Sequence, residues 1–204
     1  MRPYSESCDQ NRDPILNVIQ PLFADRVRVL EIGSGTGQHA VYFAEKMPQL
    51  SWQTSDLEEN HAGIRLWLIE AALKNVLAPV SLAACDKSSW SKLTSYDAVF
   101  SANAVHIMGK KDVECLFQEV GRVLEARGLL VLYGPFNYDG NYTSESNARF
   151  DIWLKNNNSQ SSIRDFEWLD GLAKKEGLTL LSDYEMPANN RILVWRNSNQ
   201  VVSG

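Results

Sequence analysis

Apolar positions along this chain alternate between two rhythms. Short, mostly apolar runs recur at Val27–Ile32, Leu50–Thr54, Val80–Ala84, Tyr96–Ser101, Leu129–Tyr133, Leu178–Tyr184 and Arg191–Arg196. Runs of this length and composition predict buried strands. Between them the spacing is helical. Lys111–Glu125 is the clearest case, with Val113, Leu116, Phe117, Val120, Val123 and Leu124 on one face and Gly128 as a stop beyond it. Glu58–Lys74 places Ile64, Leu68 and Ala71 on one face, and Gln38–Lys46 ends before Pro48. Asp165–Lys175 has Asp165 as a cap and Gly177 as a stop, and Asp13–Phe23 reads as a short helix with Asp13 as cap and Pro14 at its first position.

Strands alternating with helices predict a parallel sheet with right-handed crossovers. The last two strands are joined only by the Met186–Asn190 loop, too short for a crossover helix, so they are expected to be antiparallel. The prediction is an α/β fold with a seven-stranded, mostly parallel sheet, a terminal antiparallel hairpin and helices on both faces. One segment breaks the rhythm. Asn137–Ser162 is polar, rich in Asn and Ser, and long for a connection, with an apolar helical piece at Phe150–Leu154. Long ordered loops in compact domains are usually functional, so 137–162 is expected to lie over the active site. The chain is read as a single domain over 1–204, with 1–12 an N-terminal lid segment and 197–204 a tail.

Composition narrows this picture by exclusion. The 204 residues are 44% hydrophobic and 22% charged, the balance of a globular domain, and the formal net charge of −5 gives no general attraction to nucleic acid or an anionic membrane. A small-molecule substrate is therefore expected, with no nucleic-acid or membrane partner, while the oligomeric state is left open. The opening MRPYSESCDQNRDP has no apolar core of a secretory leader, and no apolar run approaches a membrane span. The three cysteines, Cys8, Cys85 and Cys115, are odd in number and widely spaced, which points to a reducing, cytoplasmic compartment, with neither a disulfide framework nor a zinc site. No H-E-x-x-H, C-x-x-C or G-x-S-x-G pattern is present, so no metal site and no nucleophile elbow is expected.

The chemistry gathers at strand ends, because ligands in an open α/β sheet bind outside the carboxyl ends of the strands. The first strand runs into Glu31-Ile32-Gly33-Ser34-Gly35-Thr36-Gly37-Gln38-His39. This E-x-G-x-G-x-G spacing departs from the G-x-G-x-x-G of a dinucleotide site and resembles the first motif of class I S-adenosylmethionine (SAM) methyltransferases. After the second strand, Asp56 and Leu57 lie about twenty residues past the glycines, where a carboxylate accepts both ribose hydroxyls of an adenosine ligand. Asp56 equally reads as a helix cap. After the fourth strand come Asn103 and His106. The amide of Asn103 suits holding cofactor or substrate. His106 is either a general base, since imidazole titrates near neutrality, or a satisfied structural group.

Further pieces carry a wider resemblance. Asn11-Arg12-Asp13-Pro14-Ile15-Leu16, the LEIGSGTGQHAVYFA run from Leu30, Ser101-Ala102-Asn103 with His106-Ile107-Met108, Tyr133-Gly134-Pro135-Phe136, Ser146-Asn147 with Phe150-Asp151, Ile163-Arg164-Asp165 and Met186-Pro187-Ala188-Asn189-Asn190 together resemble a methyltransferase-like family of unknown function found in bacteria and animals. The YGPF and MPANN pieces are more specific than the glycine motif. The resemblance covers nearly the whole chain and implies the Rossmann-like class I methyltransferase fold and SAM as methyl donor. Glu31, Gly33, Ser34, Gly35, Gly37, Gln38, His39, Asp56, Leu57, Cys85, Asp86 and Asn103 are then the cofactor-binding candidates, with Asp86 the implied adenine contact. Ala84-Cys85-Asp86 stands where that family usually reads Leu-Asp-Val. Asn103 and His106 are the catalytic candidates. Asn11, Arg12, Tyr133, Pro135, Phe136, Asn147, Arg164 and Asn189 are the substrate-binding candidates. Arg12 is expected to pair with Asp13, Asp151 or Asp165. The polar members alternatively fix the loops to one another.

The resulting expectation is a SAM-dependent methyltransferase acting on a small molecule. The alternatives are an NAD-linked oxidoreductase using the same glycine turn and Asp56, and a SAM-binding protein without catalysis. Asn103 lacks the prolines of the Asn/Asp-Pro-Pro-aromatic motif of amino-methylating enzymes, which disfavours a nucleic-acid base as acceptor.

Overall fold

The computed structural model describes residues 2–199, so 200–204 of the expected tail lie outside the described residues. Five strands run parallel: β1 (Arg28–Ile32), β2 (Ser51–Asp56), β3 (Val76–Ser81), β4 (Tyr96–Ala102) and β5 (Leu124–Gly134). A separate two-stranded parallel pair, β6 (Phe136–Asn137) and β7 (Arg164–Asp165), stands beyond the end of β5. β8 (Leu178–Met186) and β9 (Asn190–Asn197) form the expected antiparallel hairpin, with β9 lying antiparallel to β5. The main sheet has seven strands in the order β3-β2-β1-β4-β5-β9-β8, mostly parallel and with a terminal antiparallel hairpin, as expected from the sequence.

Successive strand residues point to opposite faces, and each face buries its own core. On one face Val29, Ala98, Phe100, Val131 and Val194 pack against Ile15 and Ile19 of α1 (Glu6–Leu22) and Phe43 of α2 (Gln38–Lys46), with α3 (His61–Ala71) beside them through Leu68. On the other face Leu30, Val99, Leu130 and Leu193 meet Trp90 of α4 (Lys87–Trp90) and Val113, Leu116, Phe117 and Val120 of α5 (Lys110–Val123). α6 (Glu145–Asn157) follows the β6 strand, and α7 (Phe166–Lys175) joins this second core through Leu169 and Leu172. Each fully buried Leu or Phe contributes roughly 1.5–3 kcal/mol. No helix among the described residues is long and apolar enough to cross a membrane.

Several boundaries differ from expectation. α1 starts at Glu6 instead of Asp13, so Pro14 and Pro21 lie inside it, and 6–12 of the expected lid segment are its first turns. Gln38 fixes this early start: its Oε1 accepts from the Ser5 N–H at 2.6 Å while its Nε2 donates to the Ser5 carbonyl at 3.1 Å. β3 begins at Val76, four residues before the expected start, and contains Pro79. Proline is tolerated there because β3 is an edge strand. Helix α3 ends at Ala71, earlier than the expected Lys74, with Ala72 left-handed at φ 52. Gly128 falls inside β5, because α5 already ends at Val123. Within the polar insertion the helix is longer than the apolar piece suggested, starting at Glu145 with the Ser144 hydroxyl accepting from the Asn147 N–H at 3.1 Å. Asn197, expected in the tail, ends β9 and is buried.

The cysteine expectation is corrected. Cys85 and Cys115 form a disulfide, with their Cα atoms 5.1 Å apart, and Cys8 is free. The loop after β3 packs on α5, so two cysteines distant in sequence become neighbours, a proximity that spacing alone does not reveal.

Candidate active site

β1 delivers the chain to a turn in which Gly35 has φ +57 and nothing lies within 4 Å of where its Cβ would be. A side chain there would be strained and would occupy the approach of a ligand. Gly37 has φ +91, and a Cβ would meet the Ile64 backbone at 3.2 Å, so α2 and α3 pack closely only over glycine. The turn is pinned from below. The Ser34 N–H donates to the Ser55 carbonyl at 2.9 Å, and the Ser34 hydroxyl donates to Glu31 Oε2 at 2.8 Å.

Glu31 also accepts from Trp52 Nε1 at 3.2 Å and is only 2% exposed. Burial pushes its carboxyl up to about 7. It sits behind the glycine turn and does not face the cavity, so it holds the turn instead of meeting a cationic ligand directly.

Asp56 ends β2 at the mouth of the turn. Its Oδ2 accepts from the Gly35 N–H at 2.7 Å, and its Oδ1 accepts from the Leu57 N–H and Asn60 Nδ2, each at 2.7 Å. Asp86, after β3, caps α4 by accepting from the Ser88 N–H at 3.0 Å and the Ser88 hydroxyl at 2.7 Å. These bonds lower its pKa.

At the end of β4, Asn103 takes a left-handed conformation, φ 57, and its N–H donates to the Tyr133 carbonyl at 2.9 Å. Non-glycine residues in that conformation persist only where the surroundings over-determine them, and Asn103 lines the cavity beside the glycine turn. His106 lies behind it, with Nε2 3.3 Å from Asn103 Oδ1 and only 1% exposed. Burial, with the Arg164 charge adding to it, lowers its pKa to about 3, so the ring is neutral. Its Nδ1 is buried without a partner.

These strand ends enclose one large cavity of about 760 Å³, within the range of small-molecule sites. Of the expected cofactor residues it brings together Gly33, Ser34, Gly35, His39, Asp56, Leu57, Cys85, Asp86 and Asn103. Glu31, Gly37 and Gln38 lie behind its wall. Ser7 and Cys8 of α1, Asn60, and Ile107, Met108 and Gln160 of the loops also line it. Ile107 and Met108 belong to the His106-Ile107-Met108 piece but had no expected site role; Ser7, Cys8, Asn60 and Gln160 carry no motif and reach the cavity only through the packing of distant segments.

The expected substrate residues do not line this cavity. Asn11 Oδ1 lies 2.7 Å from His39 Nε2, a partly buried polar contact between α1 and α2, and Tyr133 is buried in the core that α1 covers. Burial depresses His39 to about 4. Arg12 pairs with Asp9 at 2.7 Å, correcting the expected partners Asp13, Asp151 and Asp165, and lies 4.7 Å over the Tyr42 ring. Phe136 is fully buried in the core beside His106, and Pro135 precedes it, also buried.

Asn147 donates to the Asn189 carbonyl at 3.0 Å and Asn189 Nδ2 to the Ser146 hydroxyl at 3.2 Å, which ties α6 to the β8–β9 turn. Arg164, 3% exposed, donates Nε to the Val105 carbonyl at 3.1 Å, Nη2 to the Gln160 carbonyl at 2.8 Å and to the Met108 carbonyl, and Nη1 to the Ser162 hydroxyl at 2.7 Å. It staples the loop after β4 to the segment before β7, and borders a second, polar cavity of about 270 Å³ with Asn137 and Asp151.

The family model described as "Protein of unknown function (DUF938)" matches residues 2–197. Among solved structures, an O-methyltransferase family protein from Burkholderia thailandensis superposes with a TM-score of 0.78 at 17% identity, covering 94% of this chain and 59% of that one. Mitomycin 7-O-methyltransferase MmcR gives 0.80 at 14% identity, covering 94% and 54%. PigF, solved with SAH, gives 0.77 at 14% identity, covering 92% and 56%. This chain thus spans a little over half the length of those proteins. At such identities the likeness establishes the fold.

Proposed function

We propose a function for this chain from its site, because the chain belongs to the DUF938 family, whose name assigns no reaction. The reading is a SAM-dependent methyltransferase acting on a small-molecule acceptor. The observation that carries it is the large cavity over Gly35, Asp56 and Asn103 at the open end of the sheet. The fold, with antiparallel β9 beside β5, is similar to that of an O-methyltransferase family protein and to that of PigF, which was solved with SAH. This sheet and the E-x-G-x-G-x-G spacing favour SAM over a nicotinamide dinucleotide.

The donor supplies an electrophilic methyl group on a sulfonium. The open space in front of Gly35 fits the close approach of its amino-acid end. Asp56 retains carboxylate lone pairs at the cavity for ribose hydroxyls, and its bond to the Gly35 N–H couples that recognition to the turn. Leu57, 45% exposed, offers an apolar face for adenine, with Cys85 and Asp86 at its far edge.

Asn103, which lines the cavity, is proposed to hold the acceptor beside the methyl group. His106 is proposed as its positioning residue. An imidazole that is 1% exposed and titrates near 3 is a poor proton acceptor at neutral pH. His39, which lines the cavity and is held by Asn11, is proposed as the polar group under α1 toward which the acceptor reaches. Ser7 and Cys8 on α1 exclude water above it. Arg12, Asn147, Arg164 and Asn189 are proposed to hold the surrounding loops. Catalysis would come from alignment and water exclusion.

Isothermal titration with SAM and with S-adenosylhomocysteine tests the reading. Saturable one-to-one binding of both is expected, with no heat from NADH; no binding of either ligand overturns it.

A further inference from the structure

The Cys85–Cys115 bond spans two walls of the donor cavity. Cys85 follows β3 in the loop whose residues Ala83, Ala84 and Asp86 line the cavity, and it is exposed. Cys115 is in the second turn of α5, whose first turn supplies Lys111 and Asp112 to the same cavity. The bond therefore fixes the adenine-side loop to the helix opposite it. Trp90 Nε1 donates to the Ala83 carbonyl at 3.2 Å and the Ala84 carbonyl at 3.1 Å, a hold that is independent of the sulfurs. Breaking the bond would loosen the loop without dispersing it, so the two thiols stay within reach of re-forming. Exposed disulfides are the labile ones, open to attack by small thiolates, whereas buried structural ones resist reduction.

We propose that Cys85 and Cys115 form a reversible thiol–disulfide exchange site for low-molecular-weight thiols and disulfides of the glutathione type, and that its state sets the affinity for the methyl donor. The second half of this proposal rests on the reading of the cavity as a donor site. In the reducing direction a glutathione thiolate attacks Sγ of Cys85, the more exposed of the two residues. The Cys85–Cys115 bond breaks, and Cys115 leaves as a thiolate that takes a proton from water. A second glutathione thiolate attacks the glutathione sulfur of the mixed disulfide, releasing Cys85 as a thiolate and one molecule of glutathione disulfide. Two electrons pass from two glutathiones to the protein disulfide; oxidation is the reverse. In the oxidised form the loop is already held where the donor requires it, so less ordering is lost on binding. In the reduced form the donor must order the loop itself.

The test uses the full chain, equilibrated in glutathione buffers from fully reducing to fully oxidising, then alkylated with iodoacetamide and weighed intact and as peptides. The expected result is a reversible gain of two alkyl groups, at Cys85 and Cys115, with Cys8 alkylated throughout. Titration of the oxidised form, the reduced form and Cys115→Ser with S-adenosylhomocysteine should show the latter two binding about threefold or more weakly. Backbone hydrogen exchange should be faster in residues 82–86 and 110–115 of the reduced form. A pair that never exchanges in any buffer, or equal affinity in the two forms, overturns the proposal. If S-adenosylhomocysteine binds neither form, the methyltransferase reading falls, and the exchange rates decide this one: faster exchange on reduction supports it and unchanged rates overturn it.

Discussion

His106 Nε2 lies 3.3 Å from Asn103 Oδ1, and the ring reaches that place only because residue 134 is glycine. A Cβ at position 134 would stand 2.3 Å from the His106 Cε1 and 2.8 Å from its Nε2. Gly134→Ala is therefore expected to destabilise the fold by about 1–3 kcal/mol through overpacking. It should also lower turnover by displacing Asn103. Adding His106→Ala removes the obstructed ring, so the double variant should recover stability relative to Gly134→Ala, a coupling that a double-mutant cycle in urea measures. Purely additive losses would show that the two residues do not share this space.

Asp56 serves both the glycine turn and the proposed ribose contact. Asp56→Ala removes the acceptor of the Gly35 N–H and those of Leu57 and Asn60. Loss of hydrogen bonds worth about 1–3 kcal/mol corresponds to a rise in Kd for S-adenosylhomocysteine of roughly five- to 150-fold. Calorimetric titration reads it, and an unchanged Kd would remove Asp56 from the donor site.

Arg164 was expected at the substrate, and its donors instead go to the carbonyls of Val105, Met108 and Gln160 and the hydroxyl of Ser162. Arg164→Met would leave buried carbonyls unpaired, a loss of about 3 kcal/mol. For a domain of this size that lowers Tm by roughly 6–12 °C. Arg164→Lys should recover little, because an ammonium cannot reproduce the planar fork that serves four acceptors. Thermal unfolding checks both variants. Full stability of Arg164→Met would reopen a role at the substrate.

The parts of this fold legible in the sequence are those set by local pattern. The strand Val29–Ile32, the amphipathic face from Val113 to Val123 and the hairpin around Met186–Asn190 each follow from spacing alone; the order of strands in the sheet does not, because it is set by pairing between distant segments. The glycine turn and Asp56 were legible because backbone geometry demands those residue types there. What stayed hidden depends on neighbours distant in the chain. Pro14 reads as a helix start, yet the Ser5–Gln38 bonds extend α1 past it. His106 resembles a general base until burial lowers its pKa to about 3, which leaves it a poor proton acceptor. Cys85 and Cys115 look unrelated until the loop after β3 meets α5. The polar Asn147, Asn189 and Arg164 were recognised as important, but whether they face a ligand or one another is decided by tertiary contacts.

Burial lowers His39 to about 4 and His106 to about 3, while both imidazoles in the unfolded chain titrate near 6.5. As pH falls below 6.5 the unfolded chain binds protons that the native state refuses, so stability falls. Glu31 opposes this. Its carboxyl titrates near 7 when folded and near 4.5 when unfolded, so its contribution is fully present below 4.5 and is lost as pH rises through 7. Two histidines against one glutamate leave about one net proton, a slope of roughly 1.4 kcal/mol per pH unit between about 4.5 and 6.5. Urea unfolding at pH 5 should thus give a stability about 2 kcal/mol below that at pH 6.5. Glu31→Gln cannot take up the proton, so its opposing contribution disappears and the slope should steepen toward two protons. The amide still accepts from Ser34 and Trp52, which keeps the turn in place. A Glu31→Gln slope equal to that of the parent would show that Glu31 is already ionised in the fold and that the two histidines alone govern the acid limb.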